Sequence, residues 1–222
     1  MVVKRLFWED PYLEKCMAEV MNIDGSRITL DKTIFFAFSG GQASDSGSIN
    51  GYPVIEAKKF EHEIFYQIDE NHDLQVGQQV EVIIDWNKRY KIMRLHFAAE
   101  IVLELMTQNF NNPKKIGANI TAEKARIDFE WEGNISETFP WLEKKIKEIV
   151  NSNYAIVSNF SDKAKAIRYW EIDGFAKVPC GGTHIKNTGE MGIIVLKRGK
   201  RLGANKERIE IYLSGELAEV KN

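Results

Sequence analysis

The texture of the sequence changes abruptly at Asp85-Trp86-Asn87. Before that point, residues 11–85 show short apolar runs separated by turn signals, without a sustained helical period, which predicts strands. After it, Leu95, Ala98, Ala99, Val102, Leu103 and Met106 recur at spacings of three and four, which predicts one long helix opening a second domain. With 222 residues there is room for two unequal domains, expected over residues 1–85 and 86–222. In the first, residues 27–30 follow the turn pair Asp24-Gly25 and residues 54–60 follow Asn50-Gly51; residues 64–68 and 80–84 are further strands. Six or seven such strands suggest a small barrel. In the second, residues 125–131 read as a strand and 136–151 as a helix, with 109–117 as a loop. Residues 154–157 and 167–172 look like strands around a helical turn at 161–166, and 193–197 and 208–213 are the closing strands. The expected class is α+β: a small N-terminal β-barrel, then an α+β domain.

Composition narrows the function. Hydrophobic residues at 44% and charged residues at 28% suit a packed chain and argue against disorder. No apolar run approaches the roughly 20 residues a membrane helix needs, and the first ten residues lack the pattern of a signal peptide. With Cys16 and Cys180 as the only cysteines, a stapled secreted scaffold is excluded and the cytoplasm is the expected home. A net charge of −2 gives no global attraction to nucleic acid or membrane. Two local stretches do concentrate cations: Lys88, Arg89, Lys91 and Arg94, and residues 197–208 with six cations against one anion. Both are candidate phosphate contacts.

Three motifs carry chemistry. Pro179-Cys180-Gly181-Gly182-Thr183-His184 places a thiol and an imidazole four residues apart, both good zinc ligands, across glycines that leave the backbone unencumbered. The competing reading is a buried free cysteine beside an unrelated histidine. On the predicted helix, His96 and Glu100 share a face at i and i+4. Alone they read as a core histidine and a solvated carboxylate, but Glu100 stands in the apolar run Phe97-Ala98-Ala99-Glu100-Ile101-Val102-Leu103, where a charge needs a compensating cation. His96, Cys180 and His184 together would leave a fourth tetrahedral position for water, the layout of a catalytic zinc; a fully protein-ligated site would recruit Glu100. Either arrangement implies ester or amide hydrolysis. The third motif, Ser39-Gly40-Gly41-Gln42-Ala43-Ser44-Asp45, lacks the lysine of a P-loop and the spacing of a dinucleotide fingerprint, so by itself it reads as a β-turn.

Taken in order, the Gly-Gly-Gln loop, the helix from His96 and Cys180-Gly181-Gly182-Thr183-His184 make the chain resemble the AlaX family of alanyl-tRNA editing proteins, from about Tyr12 to Leu213. The resemblance implies an N-terminal β-barrel and an α+β editing domain of the threonyl/alanyl-tRNA synthetase type. It further implies one zinc ion per chain and hydrolysis of the ester in mischarged alanine tRNA, chiefly seryl-tRNA(Ala). His96, Cys180 and His184 match the family's metal ligands, whereas Glu100 stands where the family's helix motif has its second histidine, and Phe97 where threonine or serine is usual. Glu100 is then a carboxylate ligand, a general base or the mark of a lost site. Thr183 and Gln42 are further candidates for catalysis, with Gly40, Gly41, Gln42 and Asn119 for the aminoacyl end, and Arg198, Lys200 and Arg201 for tRNA phosphates. The alternative is a catalytically impaired tRNA-binding relative with a degenerate metal site. A zinc peptidase fits poorly, because the helix carries His-x-x-x-Glu instead of His-Glu-x-x-His.

Overall fold

The computed structural model describes residues 2–61, 63–200 and 203–214. It divides into two compact units, Met1–Tyr90 and Lys91–Asn222, with the division inside the first turns of a long helix.

In the first unit the strands are β1 (Lys4–Arg5), β2 (Lys15–Asp24), β3 (Arg27–Leu30), β4 (Lys32–Thr33), β5 (Gly47–Ile49), β6 (Tyr52–Pro53), β7 (Glu56–Phe60), β8 (Glu63–Gln67) and β9 (Gln79–Ile84). Seven form one antiparallel sheet in the order β6-β5-β9-β2-β3-β8-β7, while β1 and β4 pair in parallel. Strand β2 organises the sheet: its first half pairs with β9, its second half with β3, and the register shifts between Val20 and Asn22. Such a bulge bends a strand and lets one chain serve two directions. Inward residues Ala18, Val20, Ile28, Leu30, Ile49, Tyr66, Val80 and Val82 are all buried and form the core.

The closed barrel expected from the strand count is not formed; the sheet is a half-barrel with β6 and β7 at its edges. Those edges are consecutive pieces of one segment, and between them Val54 N–H donates to the Gly47 carbonyl of β5 and Ile55 N–H to the Gln67 carbonyl of β8. Strand β6 is two residues long and ends in Pro53, which has no N–H to extend a ladder. The Asn50-Gly51 turn expected between β5 and β6 is present, with positive φ at both residues.

The second unit contains most of α1 (Trp86–Asn109), then β10 (Lys115–Ile120), β11 (Ala125–Glu130), α2 (Phe139–Ser152), β12 (Val157–Asp162), β13 (Ile167–Ile172), β14 (Ala176–Pro179), β15 (Ile194–Arg198) and β16 (Lys206–Leu213). Two antiparallel sheets result, β10-β11-β16-β15 and β12-β13-β14. Three sequence expectations are corrected. The loop over 109–117 ends early because Lys115–Ile120 pairs with β11, and the helical turn at 161–166 is instead the end of β12 and a tight turn with Ala166 at positive φ. The strand at 154–157 lies further on, over Val157–Asp162. Helix α1 is also more deeply enclosed than a one-faced pattern implies: Ile92, Met93, Leu95, Phe97, Ala98, Ile101, Val102 and Met106 are all buried. Over residues 95–102 every residue but half-buried Glu100 is buried, so His96 and Glu100 are the polar interruptions of an enclosed stretch.

Candidate metal centre

The centre is assembled in the second unit by α1 and the turn that follows β14. One helical turn places His96 Nε2 3.3 Å from Glu100 Oε1. Strand β14 delivers Cys180, whose N–H donates to the Arg168 carbonyl of β13, and the Arg168 guanidinium donates in turn to the Gly182 carbonyl. These two bonds fix both ends of the Cys180-Gly181-Gly182 stretch against one residue. Gly181 is exposed, and a Cβ there would meet no atom within 4 Å. A side chain at Gly181 would therefore meet open space.

The donor atoms converge. Cys180 Sγ lies 3.6 Å from His96 Nε2, 3.3 Å from His184 Nε2 and 3.7 Å from Glu100 Oε1. Ligand atoms of His96, Cys180 and His184 all lie within 4.8 Å of one another. A tetrahedral zinc with metal–sulfur bonds of about 2.3 Å and metal–nitrogen bonds of about 2.0–2.1 Å needs donor–donor edges of about 3.3–3.6 Å. The two sulfur–nitrogen edges, 3.6 and 3.3 Å, match, so Cys180 with His96 and His184 has the donor types and spacing a zinc ion takes.

Outer contacts aim the donors. His96 Nδ1–H donates to the Thr183 carbonyl at 3.3 Å, which leaves Nε2 facing the cluster. His184 Nδ1 is 3.1 Å from Ser158 Oγ. The indole N–H of Trp170 donates to Glu100 Oε2 at 3.1 Å, turning Oε1 toward Cys180 and His96. Trp170 is fully buried and meets Phe97 edge to face. Phe97 thus forms the wall that seats the indole. Neither Trp170 nor Ser158 carries a sequence signal, since each lies in an ordinary strand pattern.

Charge is concentrated here. Burial alone would depress His96, but Cys180 and Glu100 overcome it and push the imidazolium up to about 10. Burial likewise opposes ionisation of Glu100, yet His96 and the Trp170 N–H hold the carboxyl down to about 2. His184 is driven well below its ordinary value by burial and by the charge on His96. The charge on Glu100 is thus met by protonated His96, and a divalent metal bound here would take the place of that proton.

The remaining candidates fall elsewhere. Thr183 is buried within the turn itself. Asn119 is half-buried on β10 opposite Arg126, in the other sheet. Gly40, Gly41 and buried Gln42 form a tight turn in the first unit, with Ser39 and Gln42 exchanging backbone bonds and both glycines at positive φ. This is the β-turn the bare residues suggest. Arg198 binds buried Glu207 through two bonds of 2.6 Å. Lys200 is exposed, and Arg201 lies outside the described residues. In the other basic stretch Arg89 is buried against Asp45, and Arg94 donates to the Met191 carbonyl.

Residues 167–210, which include Cys180 and His184, match the family described as the threonyl and alanyl tRNA synthetase second additional domain. The chain is 30% identical to the alanyl-tRNA editing protein AlaX-M of Pyrococcus horikoshii, over 96% of this chain and 98% of that one. A second AlaX-M, from Methanosarcina mazei, is also 30% identical, over 99% of this chain and all of its own length. Alanine–tRNA ligase of Methanococcus maripaludis is 31% identical over 95% of this chain, which spans 26% of the ligase. Fold and site thus define a synthetase-type editing domain. The chain belongs to the AlaX family of alanyl-tRNA editing proteins. Among the described residues, no helix is long and apolar enough to cross a membrane.

The role given to Trp170 is testable. Trp170→Phe keeps an aromatic wall but removes the bond to Glu100, and is expected to weaken zinc binding about 10- to 100-fold in chelator competition. Unchanged affinity would detach Glu100 from the metal.

Proposed function

We propose that this protein is a trans-editing deacylase that hydrolyses the aminoacyl ester of mischarged alanine tRNA, chiefly seryl-tRNA(Ala), using one zinc ion. The observation that carries this reading is the convergence of His96, Cys180 and His184, with Glu100 against His96 and Cys180, within an editing-family chain. When bound there, zinc supplies Lewis acidity toward an ester carbonyl or a water. The chain's residues do the rest. His96 and His184 are held by Thr183 and Ser158 so that one nitrogen of each faces the centre. Glu100 is a ligand in preference to a general base, because Trp170 occupies Oε2 while Oε1 faces Cys180 and His96. Thr183, buried between the two ligands of the turn, sets the orientation of His96 through its carbonyl. Arg198 and Lys200 are placed on phosphates, Arg198 as a cation already steadied by Glu207.

Selectivity rests on a polar group that bonds the serine hydroxyl and is left unpaired when alanine binds. Gln42 and Asn119 are the candidates, with Gly40 and Gly41 giving close backbone approach. A synthetase pocket sized for alanine rejects an isostere with one added hydroxyl poorly, which is why a separate hydrolase is needed.

The test is metal analysis of the purified protein with deacylation of serine-charged and alanine-charged tRNA(Ala), each with and without chelator. We expect one zinc per chain, serine release at least about 100-fold faster than alanine release, and loss of both activities with chelator. Equal rates on the two substrates would remove the serine specificity. Absence of both metal and hydrolysis would leave a tRNA-binding relative with a degenerate site.

A further inference from the structure

The cations first suspected of meeting phosphates are largely engaged: Arg89 by Asp45, Arg94 by the Met191 carbonyl and Arg198 by Glu207. A different basic surface lies in the first unit. Strand β7 ends its sheet, and beside it β8 and β3 complete a cavity of about 330 Å³ lined by Arg27, Glu56, Lys58, Lys59, Phe60 and Phe65 among others. Three cations face one carboxylate there, in a chain whose net charge is −2. Glu56 offsets part of this charge through a bond of 2.9 Å to Lys58, which stays exposed. Burial and the neighbouring Arg5 guanidinium both depress the Lys59 ammonium, and Glu63 of β8 stands opposite Phe60. Amid them Phe60 is 65% exposed on the sheet edge.

We propose that the β7–β8 edge binds an unpaired stretch of the tRNA, with Arg27, Lys58 and Lys59 on its phosphates and Phe60 stacked on a base. Cations tracking a backbone beside an exposed aromatic face are the physical requirement for single-stranded nucleic acid. The proposal rests on the reading that the substrate is a tRNA. Lysines on an edge strand also block pairing with other strands. That role alone predicts aggregation when they are removed and leaves RNA affinity unchanged, which separates it from the present proposal.

The experiment measures binding of a tRNA(Ala) transcript and of a 12-nucleotide single-stranded RNA across a salt series. The Lys58→Ala/Lys59→Ala protein is expected to bind both about tenfold or more weakly, with the log–log salt slope shallower by about 1.4 for two lost single-strand phosphate contacts. Phe60→Ala is expected to weaken binding about fivefold or more with its slope kept, since stacking releases no counterions. Thermal melting checks that each variant is folded, as these side chains are exposed. Unchanged affinity and slope would overturn the proposal, as would an equal loss in Lys144→Ala/Lys147→Ala, which removes the same charge from α2. Deacylation of serine-charged tRNA(Ala) by the unaltered protein is read in parallel. Its absence would count against the editing reading, whereas its presence with indifferent β7 variants would count against this surface alone.

Discussion

Cys180→Ala is expected to strip the protein of stoichiometric zinc and to lower deacylation of serine-charged tRNA(Ala) by at least about 100-fold. The magnitude follows from its place. Losing a group that merely orients a ligand costs about 10- to 100-fold in affinity or activity, and Cys180 is the donor common to three of the four measured edges, at 3.6, 3.3 and 3.7 Å. Without Sγ, His96, Glu100 and His184 keep their outer bonds but lose the atom around which they close. Elemental analysis and single-turnover deacylation check the expectation, with a melting curve to show that β13 and β14 still pair. Cys180→Ser gives a stricter control, because it preserves size and replaces the soft donor by a hydroxyl. Full zinc occupancy and normal turnover in Cys180→Ala would remove the cysteine from the centre and with it the metal-dependent mechanism.

The grouping of His96, Glu100, Cys180 and His184 was legible in the sequence because these residues are of unusual types in unusual surroundings. A carboxylate inside an apolar stretch and a cysteine four residues from a histidine each demand an explanation, and the proposed metal ion would answer both. What the sequence did not disclose was the support: Trp170 and Ser158 sit in strands where aromatic and hydroxyl residues are commonplace, and only the packing shows which partners they reach. The secondary structure followed the same division. Turn chemistry marked Gly25 and Asn50-Gly51 correctly, since positive φ is a local demand. Strands β2, β10 and β14 were missed because their pattern is dictated by partners far along the chain, and β2 in particular serves two neighbours across a bulge. The strand count likewise did not disclose that the sheet ends in two short pieces of one segment, β6 and β7.

The basic stretch at Lys88-Arg89 was misread because charge on a helix usually faces water, yet Arg89 is the most consequential buried cation of the first unit. Its guanidinium is fully buried, pairs with both oxygens of Asp45, and donates to the carbonyls of Ile34 at 2.7 Å and Pro11 at 3.0 Å. Asp45 in turn accepts from Phe36 N–H at 2.6 Å, while its own N–H donates to the Phe36 carbonyl. The pair therefore clamps both ends of the loop that carries Gly40, Gly41 and Gln42. Arg89→Met is expected to destabilise the first unit by about 3–5 kcal/mol, because it leaves Asp45 and two carbonyls buried without their donor. Arg89→Lys should recover little, since a single ammonium cannot reach the carboxylate and both carbonyls in a planar fork. Asp45→Asn, which keeps an acceptor for Phe36, should cost less than Arg89→Met. Urea unfolding followed by tryptophan fluorescence measures all three. A loss below about 1 kcal/mol for Arg89→Met would mean that water replaces the guanidinium, as at an exposed ion pair. A loss of the expected size with zinc content intact would show the glycine loop and the metal centre to be held by separate devices, the first by a buried ion pair and the second by hydrogen bonds to its ligands.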